Sequence, residues 1–219
     1  MLLHDLQKLL GGVYGIDLTV DIYDFLVTDP ALLQGLTPAN TTRTTTEKLL
    51  IQQQDDELGL SLYLDSELLE RLKNFDPRHW LGDMNLADFC TVLEGISHFS
   101  YVAWNAAADK SVTLMELELQ AEVDKYIGAR VLVHQQPQND LLESLFARLF
   151  DRHRFHVELA PEELARYKNA SNFAGRYCRS LEKRFPQEEL GTDMVQDLRA
   201  FYRLSQPDKL SYIHSVFFA

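Results

Sequence analysis

The chain has 219 residues, 46% of them hydrophobic and 12 of them Phe, so it can fill a sizeable core, and intrinsic disorder is excluded. Its 21 basic and 33 acidic residues leave a net charge of −12, which opposes general adhesion to nucleic acid or to anionic membranes. Residues 139–219 hold 12 basic and 12 acidic residues, so the whole excess of negative charge lies in residues 1–138. That asymmetry suggests two parts, an acidic α+β part at 1–138 and a charge-neutral helical part at 139–219, joined or continuous.

In chain order, residues 2–10 read as a helix stopped by Gly11-Gly12, 13–20 as a short strand, and 21–28 as a helix ending before Asp29-Pro30. The Thr-rich run 37–46 reads as a loop. Residues 48–53 and 58–64 form the clearest β signal. Leu58, Leu60, Leu62 and Leu64 alternate with Gly59, Ser61 and Tyr63, which predicts a hairpin with one buried face. Asp65 or Ser66 caps a helix to about 75, which Asp76-Pro77 ends.

Residues 86–127 carry the densest information. With Leu86 at 0° and about 100° per residue, Thr91, Glu94, His98 and Asn105 fall in one narrow polar stripe on an otherwise apolar helix. Thr113 and Glu116 form a capping box that opens a second helix. It bears two polar stripes, one with Glu118, Glu122 and Lys125, the other with Glu116, Gln120 and Asp124. A helix wets one such stripe easily, so at least one of these is expected to be buried. The short turn near 108–111 predicts antiparallel packing. His98 and Glu122 lie at matching distances from that turn and are expected to meet, with Glu94 level with Lys125.

Two readings of this cluster compete. The plainer one is an internal ion network of Glu94, His98, Glu118, Glu122 and Lys125, since buried charges must be paired. The other is a ligand or metal site with Glu94, His98 and Glu122 as ligands, carboxylate and imidazole being suited to a divalent ion. The spacing Glu94-x-x-x-His98 is neither the Glu-x-x-His of di-iron bundles nor the His-Glu-x-x-His of zinc proteases.

Further along, 131–133 reads as a short strand and 135–139 as a linker, and helices are predicted over 140–150, 161–185, 192–204 and from 205 onward. Arg152, Arg154, Arg176 and Arg179 make a candidate anion patch. Arg176 and Arg179 also flank Cys178 and would lower its pKa. Cys90 and Cys178, the two cysteines, are expected as buried reduced thiols. The N-terminus lacks the basic region of a signal peptide, and the apolar C-terminus, with Phe217 and Phe218, is expected to be buried in the subunit or a dimer.

The fold class expected is α+β, mostly helical, with a small antiparallel β element in the N-terminal half. With no recognisable catalytic motif, the first functional expectation is a non-enzymatic cytoplasmic interaction or regulatory protein, with a protein partner or a second copy of itself. No cofactor, membrane or nucleic acid is expected. The alternatives are a metal-assisted hydrolase using the Glu/His stripe, with a divalent metal as its cofactor, and a helical nucleic-acid binder through the basic patch.

Overall fold

The computed structural model describes residues 1–36, 45–54, 57–151, 160–186 and 190–217. It is a mostly helical α+β fold, with a three-stranded mixed sheet in the N-terminal half and helices throughout the C-terminal half. Among the described residues, no helix is long and apolar enough to cross a membrane.

Helix α1 (Leu2–Tyr14) runs straight through Gly11-Gly12 and ends at Gly15, whose left-handed conformation (φ 60°) caps it. The predicted stop at Gly11 and strand at 13–20 are therefore replaced by an extra helical turn. Two helical glycines cost about 1 kcal/mol each, and burying Val13 and Tyr14 outweighs that. The helix expected at 21–28 is a 3-10 turn, Ile22–Phe25, followed by strand β1 (Leu26–Val27), and a helix α2 (Pro30–Leu36) comes next.

Strands β2 (Glu47–Gln54) and β3 (Glu57–Leu64) form the antiparallel hairpin, with Glu47 opposite Leu64 and Leu49 opposite Leu62. β1 lies parallel to the other edge of β3, so the third strand comes from 26–27 rather than from 13–20. The alternation along β3 is only half expressed as burial. Leu62 and Leu64 are fully buried, but so is Tyr63, while Leu58 at the far end is exposed.

Helix α3 (Ser66–Asn74) is capped by the Asp65 carboxylate, which accepts from the Glu67 and Leu68 amides. Helices α4 (Leu86–Ala106) and α5 (Leu114–His134) follow, with Thr113 Oγ1 accepting from the Glu116 amide at the start of α5. The strand expected at 131–133 is the last turn of α5: Leu132 and Val133 are buried there, and tertiary burial overrides the local preference of the β-branched Val131 and Val133. The polar 135–139 segment is anchored. Gln136 accepts from the Leu81 amide at 2.8 Å and donates to the Pro77 carbonyl at 2.7 Å.

Helix α6 (Leu141–Phe146) continues into a π-helical turn, Ala147–Asp151, and α7 (Pro161–Arg184), α8 (Thr192–Tyr202) and α9 (Gln206–Phe217) complete the chain. α5 is the central rod. It packs on α4, α7, α6 and α1, while α1 also packs on α8, so one hydrophobic core runs across the charge boundary. Gly128 lets α4 and α5 approach: a Cβ there would lie 2.6 Å from Leu93 Cδ2.

Candidate metal centre

The site is built at the junction of α4, α5, β2 and α7. On α4, Glu94 and His98 are one turn apart, and Gly95 between them gives β2 room to approach. A Cβ on Gly95 would lie 2.9 Å from Glu47 Cγ and 3.0 Å from Leu62 Cδ1. Glu47 sits on the same strand face as Leu49, and that face points to α4. On α5, Glu118, Glu122 and Lys125 share the stripe read from the sequence, and all three are buried.

His98 is central and only 8% exposed. Its Nδ1 lies 3.7 Å from Glu47 Oε1 and its Nε2 lies 3.7 Å from Glu118 Oε2. Lys125 Nζ is 3.0 Å from Glu94 Oε2 and also donates to Glu122. Arg166, from α7, reaches 3.7 Å from Glu118 Oε1. The expected pairing of His98 with Glu122 is thus replaced: Glu122 takes Lys125, and His98 meets Glu47 and Glu118. The shift follows from β2, whose Glu47 occupies one side of the imidazole.

Two features set this cluster apart from a satisfied ion network. The first is that His98 Nε2 and Glu47 Oε1 are buried and, beyond their long ion pairs at 3.7 Å, make no hydrogen bond among the described residues. A buried polar atom left so costs about 1 to 3 kcal/mol. The second is that single ligand atoms of Glu47, Glu94 and His98 all lie within 4.8 Å of one another. Donors about 2.1 Å from an ion stand about 3 to 4 Å apart, so a contraction of about 1 Å seats one.

The charges respond to this crowding. Burial pushes His98 down, but the carboxylates of Glu47, Glu118 and Glu94 outweigh it and raise its pKa to about 9. Burial raises Glu47, and it lifts Glu118 to about 7 against the opposing pull of His98 and Arg166. Lys125 loses to burial and gains more from Glu122 and Glu94, which hold it above its ordinary value. Burial raises the Cys90 thiol to about 12, so it stays protonated at neutral pH.

The other α5 stripe is buried too, and it is closed. Asp124 accepts from Ser97 Oγ at 2.6 Å, from Gln120 Nε2 at 2.8 Å and from the Tyr14 hydroxyl. Gln120 Oε1 in turn accepts from Lys209 Nζ at 2.5 Å. Tyr101 donates to Glu116 at 2.6 Å. Every link is satisfied and Lys209 is wholly enclosed, so this stripe ties α1, α4, α5 and α9 together rather than meeting a ligand. The first stripe, by contrast, reaches the surface through Glu94 and Arg166, whose side chains are about a quarter exposed.

Of the anion patch, Arg176 and Arg179 lie on α7, while Arg152 and Arg154 lie outside the described residues. Arg176 packs on Phe173 and Phe217, Arg179 on Phe146, and Cys178 faces the core. Burial therefore raises the Cys178 pKa, the reverse of the direction expected from its two arginine neighbours in sequence. Both cysteines are free thiols.

Glu47 is the residue that the sequence reading missed. Its signal was period-2 register: it shares a strand face with Leu49, so it is a carboxylate on the covered side of a strand. No family model matches the chain, and neither does any curated protein or solved structure.

Proposed function

We propose that this chain binds one divalent metal ion through Glu47, Glu94 and His98 and uses it to activate water for hydrolysis. The observation that carries the proposal is the convergence of single ligand atoms of Glu47, Glu94 and His98 within 4.8 Å, with Glu47 Oε1 buried and without a hydrogen bond among the described residues. One imidazole and two carboxylates suit Zn²⁺ or Mn²⁺. Three protein ligands leave a position for water, as catalytic sites do and closed structural sites do not. A metal held by these residues would supply an activated water as the nucleophile.

Nδ1 is the edge of His98 that faces Glu47, so it is the ligand atom in this reading, and metal binding would displace the proton that the surrounding carboxylates hold on the ring. Nε2 faces the Glu118 carboxylate at 3.7 Å, which would orient the ring. Lys125 neutralises Glu94 and Glu122 beside the centre. The reading includes a reducing, cytoplasmic setting, which the two free thiols support.

Calorimetric titration of EDTA-treated protein with Zn²⁺ and Mn²⁺ tests it. One ion per chain is expected, with binding lost in His98→Ala and Glu47→Gln. Hydrolysis of p-nitrophenyl esters and phosphates by the loaded protein should fall with the same variants. No stoichiometric binding of either ion overturns the centre; binding without turnover of any ester or phosphate overturns the hydrolase.

A second reading, an interaction protein that pairs with a second copy of itself, has its own observation. Phe75, Trp80 and Met84 lie within one loop and are 52%, 51% and 75% exposed. Light scattering on wild type and Trp80→Glu reads it: a wild-type monomer removes it.

A further inference from the structure

A groove lined by none of the residues of the metal cluster carries no role in the metal chemistry. It lies between α6 with its π-helical turn, α7 and the end of α9, and its volume is about 620 Å³. That is within the roughly 300 to 1,000 Å³ of small-molecule sites.

One side is a stripe of α7. Lys168, Asn172, Arg176 and Arg179 recur at helical spacing and line the groove together. The floor is aromatic. The Phe146 and Phe150 rings lie 5.0 Å apart, and Phe150 rests on the α7 backbone at Gly175, where a Cβ would come 3.3 Å from the ring. The arginines are held in place before any ligand arrives. Arg179 stacks 3.7 Å above the centre of Phe146 and donates to Glu182 at 2.9 Å. Arg176 lies between Phe173 and Phe217, 5.7 and 5.6 Å from their centres.

Among the described residues three cations line the groove against one carboxylate, Asp151, and Glu182 pairs with one of the three, which leaves a net positive concavity on a chain of net charge −12. A fixed guanidinium fork matches phosphate geometry. Phenylalanine faces accept a flat ring by stacking. Asp151, which also lines the groove, supplies acceptor oxygens for hydroxyl groups. Phosphate, ring and hydroxyls together describe one small molecule class. The overall negative charge and the short span of the groove disfavour a polynucleotide.

We propose that this groove binds a nucleoside monophosphate, with its phosphate on Arg176 and Arg179 and its base against Phe150. The binding is independent of the metal centre.

Calorimetric titrations with AMP, GMP, CMP and UMP, all in EDTA, test it. At least one should bind at a single site with Kd below about 1 mM. Arg176→Gln and Arg179→Gln should each weaken it about tenfold or more. Arg176→Lys, which keeps the charge and loses the fork, should fall between, and Lys110→Gln on the α4–α5 turn should bind as wild type. Ribose 5-phosphate and adenosine should each bind more weakly than the whole nucleotide. Thermal melts of all variants near wild type confirm that they are folded. Four nucleotides that fail to saturate overturn the proposal. So does ribose 5-phosphate binding as tightly as a nucleotide, which marks a plain phosphate site. Binding seen only with metal present and lost in Glu47→Gln places the nucleotide at the metal centre and also overturns it.

Discussion

Lys209 has no exposed surface, and burial holds its pKa down to about 7, against the pull of the Glu116 and Asp124 carboxylates. The rings of Tyr101, Phe201 and Tyr202 surround its ammonium, and Gln120 is its acceptor. In the unfolded chain the same amine titrates near 10.5. Between about 7 and 10.5 the unfolded state therefore binds more protons, so this group costs stability at pH 7 and the cost shrinks as pH rises. His98 runs the other way, with a raised pKa whose contribution is lost from 6.5 to about 9, so wild type alone mixes the two. The clean observable is the difference in melting temperature between Lys209→Met and wild type. It should become smaller between pH 7 and pH 10, and a constant difference would show that Lys209 stays charged in the fold. At the other stripe, Glu122→Ala leaves Lys125 with Glu94 at 3.0 Å, so urea denaturation should show a loss of about 1 to 3 kcal/mol rather than that of an orphaned charge. An unchanged midpoint would mean that Glu122 is solvated.

At the scale of elements, two close approaches decide where the site residues stand. α4 meets α5 at Gly128, and a methyl there runs into Leu93. Gly128→Ala should cost about 1 to 3 kcal/mol by overpacking. Leu93→Ala in the same chain should take back part of that cost, because the cavity and the methyl share one place; additive losses in a double-mutant cycle would contradict the packing. The end of α1 is held from α8. Arg199 donates to the Gly12 and Val13 carbonyls at 3.0 Å, and Arg203 to Tyr14 at 3.0 Å and Gly15 at 3.3 Å. These cations meet the negative end of a helix, so Arg203→Ala should lower stability by about 1 to 2 kcal/mol, less at high salt. A salt-independent loss would point to packing instead. The α1–α8 contact is also the kind of link that helical periodicity does not reveal, since it joins residues far apart in the chain.

For the whole molecule, the charge boundary near residue 138 does not interrupt the core, because α5 packs on α7 and α1 on α8. The C-terminal tail closes this arrangement. Ile213 is buried and Phe217 is half-buried beneath Arg176 and Lys183, while Phe218 lies outside the described residues. Deleting 216–219 removes Phe217 from both the α7 face and the nucleotide groove. The melting temperature should fall by a few degrees, on the scale of about 1 to 2 kcal/mol in a chain of this size. An unchanged melt would leave Phe217 without an energetic role.

Elements whose signals are local are legible in the chain alone. Capping at Asp65 and Thr113, the leucine alternation of 58–64, and the polar stripes of α4 and α5 each depend on residues within a turn or two. The chain also marks Glu94, His98, Glu118, Glu122 and Lys125 as one cluster, because helical spacing puts them on stripes that face each other across a short turn. Tertiary structure decided the partners. Glu47 reaches His98 through a strand more than 40 residues away, over a glycine that has room for it, and so displaces the expected His98–Glu122 pair. Lys209 likewise finds Gln120 from 89 residues away. Burial and electrostatics act through space, and periodicity reports only the face that a residue shares with its own element.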